Sequence, residues 1–68
     1  MNGREFVRRA RRYARKTGEE CRFDRRRGKG SHGTLYLGNR HTMVKHGEIS
    51  KGVLATMLKH LGIDRKEF

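Results

Sequence analysis

The sequence has no proline, no tryptophan, one cysteine, and only 7 acidic residues against 18 lysines and arginines. Each scarcity closes off a class of protein. A lone Cys21 cannot form an internal disulfide, and without a second cysteine there is no Cys-x-x-Cys pair for a thiolate metal site. Set beside Phe23 in a short alternating run, Cys21 reads as a small apolar strand residue. The absence of proline fits a compact unit without a linker. No apolar stretch reaches the roughly 18 residues that a membrane span requires. The basic N-terminus has no apolar region behind it, so no signal peptide is visible and a cytoplasmic chain with no membrane contact is expected. At 68 residues the chain is expected to form one domain, 1–68, and a chain this short buries only roughly 60% of the surface its unfolded form exposes. That leaves no room for a deep cofactor cavity.

What is abundant is positive charge. The formal net charge is +11, and arginine outnumbers lysine twelve to six. A field of this sign favours polyanions. Arginine, planar and able to hold one phosphate with two donors, shifts that preference toward nucleic acid.

Along the chain, Phe6, Ala10, Tyr13 and Ala14 recur at helical spacing between Arg4 and Thr17, with Val7 at their flank. Arg8, Arg9, Arg11, Arg12, Arg15 and Lys16 fall on the opposite side, and Gly18 is the expected stop. So many like charges on one helix are destabilising unless something anionic compensates, so this face is expected to meet RNA or an acidic partner rather than only water. Residues 20–26 alternate, with Cys21 and Phe23 on one side and Glu20, Arg22 and Asp24 on the other, as in a strand. Thr34–Leu37 and His41–Lys45 make two further strands joined by Gly38-Asn39, a pair suited to a tight hairpin. Ser50 then caps a second helix whose apolar stripe is Val53, Leu54, Met57, Leu58 and Leu61, closed by Gly62. The order helix-strand-strand-strand-helix predicts a two-layer α+β domain: a three-stranded antiparallel sheet with both helices on one face.

Between the first two strands lies Arg25-Arg26-Arg27-Gly28-Lys29-Gly30-Ser31-His32-Gly33, a basic, glycine-rich loop able to bring its backbone close to a phosphate. It matches no mononucleotide or dinucleotide fingerprint. His32 stands at the mouth of this loop. Imidazole changes protonation near neutral pH, so His32 can take a proton from a ribose 2′-hydroxyl or return one to a leaving oxygen. Arg25, Arg26, Arg27, Lys29 and Ser31 are the expected holders of the phosphodiester, with Lys51 at the second helix as a further contact. Metal chemistry is not expected: His41 and His46, five residues apart on one strand, would point to opposite faces. His41 and His60 read as surface residues. The carboxylates are scattered among cations, where ion pairing is their expected role.

Gly30-Ser31-His32 is similar to the Gly-Ser/Thr-His motif of HicA-type toxins, the mRNA-cleaving half of the HicA–HicB toxin–antitoxin pairs of bacteria and archaea. The run from Val44-Lys45-His46-Gly47 through Lys51-Gly52-Val53-Leu54 to Leu58-Lys59-His60-Leu61-Gly62-Ile63 resembles the family's strand end, loop and final helix. With the first helix, the resemblance covers nearly the whole chain in the family's order. It implies a double-stranded-RNA-binding-like fold, His32 as the catalytic histidine, RNA cleavage with no metal or other cofactor, and an accessory position for His46 in the family's His-Gly. It also implies an acidic HicB-type antitoxin that covers His32 in a hetero-oligomer. Two departures bear on the shape of the RNA groove. Ser50 stands where the family often has proline, and a longer arginine-heavy segment replaces an aromatic near the end of the first helix.

The physical features of such a toxin constrain its inhibitor. Carboxylates set against Arg25, Arg26, Arg27 and the arginine face of the first helix would give fast, salt-sensitive association. An apolar anchor is expected at Tyr36 and Met43, provided these face away from the core. The alternative reading is a non-catalytic double-stranded RNA-binding module, which would recognise A-form shape. Such modules generally carry a lysine-rich cluster at the start of the second helix, where this chain has only Lys51.

Overall fold

A computed structural model describes residues 1–25 and 33–68. Helix α1 spans Gly3–Thr17, followed by strands β1 (Cys21–Asp24), β2 (Gly33–Leu37) and β3 (Arg40–Val44), and helix α2 (Lys51–Leu61). The strands form one antiparallel sheet in the order β1-β2-β3. This is the expected small α+β domain, with a short 3-10 turn at Arg65–Glu67 after it.

Both helices are delimited by their own sequence. The Asn2 side chain accepts a hydrogen bond from the Glu5 N–H at 2.8 Å, so Asn2 is the N-cap of α1. Gly18 ends that helix at φ 76°, and its N–H bonds the Ala14 carbonyl. Ser50 caps α2 by accepting from Val53 N–H at 3.3 Å. Gly62 closes it at φ 69°, a conformation that favours glycine.

The strand register sorts side chains onto two faces. Cys21, Phe23, Gly33, Leu35, Leu37, Thr42 and Val44 share the helix-covered side, because paired residues in an antiparallel ladder point the same way. Against them pack Phe6, Ala10 and Ala14 of α1 and Met57, Leu58 and Leu61 of α2, with Ile49 and Ile63 completing the core. Helix α1 crosses all three strands, while α2 lies along β3. Phe6 and Leu35 are the largest side chains wholly removed from water.

Three details differ from the sequence expectation. Strand β1 is shorter than 20–26, ending at Asp24. Val53 is 49% exposed: at about 100° per residue it lies roughly 90° from the centre of the line formed by Met57, Leu58 and Leu61, at the rim of the stripe. The first residues are also tied down. Asn2 bridges Glu48, the Ile49 N–H donates to the Met1 carbonyl at 2.7 Å, and the Gly3 N–H donates to the Gly47 carbonyl at 3.0 Å. Gly3 permits this approach, since a Cβ there would collide with the Lys45 carbonyl.

Candidate nucleic-acid interface

The expectations for Arg26, Arg27, Lys29, Ser31 and His32 fall outside the described residues. The described residues flanking that loop are Arg25 and Gly33, and the Phe23 ring lies near both. Gly33 is buried, and the space a Cβ would fill there is occupied by Phe23: such a Cβ would lie 2.6 Å from Phe23 Cζ and 2.8 Å from Cε1. Gly33 does not have a positive φ, so the demand for glycine here is one of space rather than backbone conformation. The Arg25 guanidinium lies 6.0 Å from the centroid of the same Phe23 ring, at the edge of cation–π range. Phe23 thus packs against Gly33, the flank that follows His32 in sequence, and lies within reach of Arg25 on the other.

The same end of the sheet collects further polar and basic side chains. Val44 pairs with Gly33, so Lys45 and His46, both exposed, follow directly at this edge. Lys51 is exposed in the first turn of α2, beside its capping Ser50.

On α1, Arg8, Arg11, Arg12, Arg15 and Lys16 are exposed and Arg9 is half-buried. Glu5 meets two of these, Arg8 at 3.5 Å and Arg9 at 3.9 Å. Arg8 and Arg12, Arg11 and Arg15, and Arg12 and Lys16 are like charges four residues apart, each pair mildly repulsive. An open depression of about 360 Å³ lies among Arg9, Arg12, Tyr13, Lys16, Glu67 and Phe68.

The sheet face turned away from the helices carries Arg22 and Asp24 of β1, Thr34 and Tyr36 of β2, and His41 and Met43 of β3. Tyr36 and Met43 therefore do face away from the core, and Met43 is 58% exposed. The register sets Arg22 opposite Tyr36 and Tyr36 opposite His41. The Arg22 guanidinium sits 4.7 Å above the Tyr36 ring, and the Tyr36 and His41 rings are 5.9 Å apart at 39°. Arg22 also reaches Asp24 at 3.9 Å. Sequence reading placed Arg22 and His41 only as outward strand and surface residues. The register between strands, which local spacing does not report, is what joins them.

His60, on the exposed side of α2, lies 3.2 Å from the Thr42 hydroxyl through Nδ1. Half-burial pushes the Cys21 thiol above its ordinary pKa, and nearby Arg11 offsets part of the rise. Among the described residues no three His, Cys, Asp or Glu side chains gather into a metal site, and no helix is long and apolar enough to cross a membrane. No family model, curated protein or solved structure matches the chain.

Proposed function

We propose that this protein is a HicA-type toxin, an endoribonuclease that cleaves mRNA in the cytoplasm and so arrests translation and growth. The observation that carries the reading is Gly30-Ser31-His32 in a basic loop, followed at the family's spacing by His46-Gly47 and the Lys51–Gly62 helix. The helix-strand-strand-strand-helix order and the exposed arginines of α1 support it.

In the proposed mechanism the cations of the 25–29 segment hold a phosphodiester, and His32 moves the proton. Removal of the 2′-hydroxyl proton lets that oxygen attack the adjacent phosphorus. The 5′-oxygen of the next nucleotide then leaves and takes up a proton. The products are a 2′,3′-cyclic phosphate and a 5′-hydroxyl end. Arginines beside the phosphate stabilise the charge that develops on its oxygens. An acidic HicB-type antitoxin that covers His32 and pairs with the arginines would switch the enzyme off and leave it in a hetero-oligomer.

End analysis of RNA fragments tests this chemistry. A cyclic or 3′-phosphate facing a 5′-hydroxyl is expected. Fragments carrying a 5′-phosphate and a 3′-hydroxyl would overturn the mechanism. A non-catalytic double-stranded RNA binder, the second reading, would shift duplex RNA on a gel without shortening it, and its expression would not stop growth.

A further inference from the structure

We propose that the outer face of the sheet is a binding site for unpaired bases of single-stranded RNA, with Arg22, Tyr36 and His41 as the row on which a base stacks. The inference takes its ligand class from the ribonuclease reading and adds to it where the substrate strand lies.

An antiparallel sheet with one face covered ordinarily presents short polar side chains to water on the other. Here three planar groups stand side by side across all three strands, with Arg22 4.7 Å above the Tyr36 ring and His41 5.9 Å from it. Arg22 is 69% exposed, leaving its outer surface open, and His41 is exposed as well. One planar cation and two rings in one row offer what a nucleobase needs, since every base has a π-face and stacking tolerates any sequence. Beside the row is a shallow, open depression of about 660 Å³ lined by Tyr36, Asn39, Arg40, His41, Met43 and His60 among others. That is ample for a nucleotide. The Asn39 amide supplies a donor and an acceptor for a base edge.

Charge on this face is balanced, so recognition there rests on the planar row rather than on net charge. Arg22 is the cation the register places on it and meets the carboxylate there, Asp24, at 3.9 Å, while Arg40 lies at the rim of the neighbouring depression with its guanidinium against Gly62. Three features favour single-stranded RNA over the other polyanions. A duplex keeps its bases stacked on each other and withholds them from such a row. An acidic peptide would use the cations but not the planar stack. The Arg22–Tyr36–His41 row is also two residues along the strands from Asp24, Thr34 and Met43, or about 6.6–6.8 Å, at the end of the sheet where β1 finishes and β2 begins.

The test uses the full-length His32→Ala variant, so that binding is read without cleavage. It is titrated against a single-stranded RNA oligomer containing 2-aminopurine, a duplex of the same sequence, and a poly-glutamate peptide. We expect 2-aminopurine quenching on binding to the single strand. Adding Tyr36→Ala should weaken that binding about 5- to 150-fold, the range set by loss of one stacked base. Tyr36→Phe should retain it, and duplex binding should change little with either. Tyr36 is only half-buried and outside the core, and retention of the far-UV circular dichroism of each variant confirms an intact sheet. Equal single-strand affinity with and without the Tyr36 ring would overturn the inference, as would Tyr36-dependent capture of poly-glutamate alone. If the wild-type protein cuts RNA with a KM indifferent to Tyr36→Ala, the stacking site falls and the ribonuclease reading stands. If Tyr36-dependent binding is seen without cleavage, the reverse holds.

Discussion

Adding a single methyl group at Gly33 probes how the sheet holds the loop that carries His32. The Cβ of Gly33→Ala would lie 2.6 and 2.8 Å from two Phe23 ring carbons and 3.2 Å from the Asp24 carbonyl oxygen. Carbon atoms in contact settle near 3.5–4.0 Å. The ring must therefore move away, giving up its cover over the strand and its contact with Arg25. Overpacking of this kind destabilises by about 1–3 kcal/mol. In a domain of this size each kcal/mol lowers Tm by about 4–8 °C, so a fall of about 4–24 °C is expected. RNA cleavage should fall with it, because the Gly33 flank of the loop packs against Phe23. The decisive assay is a double-mutant cycle in thermal unfolding. Without the Phe23 ring the two shortest contacts are gone and only the 3.2 Å approach to the Asp24 carbonyl oxygen remains. Gly33→Ala should accordingly destabilise the wild-type protein and cost clearly less in a Phe23→Ala background. Equal effects in both backgrounds would refute the argument that Phe23 occupies the Gly33 space.

Further outcomes follow from the same structure. Phe6→Ala, at a wholly buried position, should cost about 3–5 kcal/mol, comparable to all that so small a core supplies; loss of cooperative unfolding in circular dichroism checks this. Because burial raises the Cys21 pKa in the folded state, the folded protein holds that proton more tightly than the unfolded chain does. The associated stability is full below the ordinary thiol range and is lost as pH rises through the raised folded value. Cys21→Ala should flatten this alkaline decline in denaturant midpoints measured across pH. Neutralising Arg25, Arg26 and Arg27 should slow association with an acidic antitoxin and reduce its salt dependence in stopped-flow measurements; a rate indifferent to both would contradict the electrostatic account.

Much of the fold was legible because it rests on periodicity and punctuation. Phe6, Ala10 and Ala14 mark the buried stripe of α1, and Gly18 and Gly62 end the two helices where the chain must turn left-handed. What stayed hidden depends on contacts between distant segments. The pairing of Asn2 with Glu48 is made by backbone groups and leaves no trace in side-chain pattern. The need for glycine at position 33 follows from where Phe23 rests, ten residues earlier in the chain. Likewise Arg22, Tyr36 and His41 become one row only through the register of three strands, while each read alone is an ordinary outward-facing residue. For the candidate site the balance is reversed. His32 and its basic neighbours are conspicuous as a sequence motif, and the described residues bear on them only through the loop's flanks at Arg25 and Gly33.

The central claim, that His32 carries metal-free RNA cleavage, is tested most directly by incubating purified wild-type and His32→Ala proteins with a single-stranded RNA and its DNA counterpart in excess chelator. The account predicts that the wild-type protein cuts the RNA and spares the DNA, which lacks the 2′-hydroxyl nucleophile, while folded His32→Ala cuts neither. Cleavage that appears only on addition of magnesium, or that persists undiminished in His32→Ala, would contradict it.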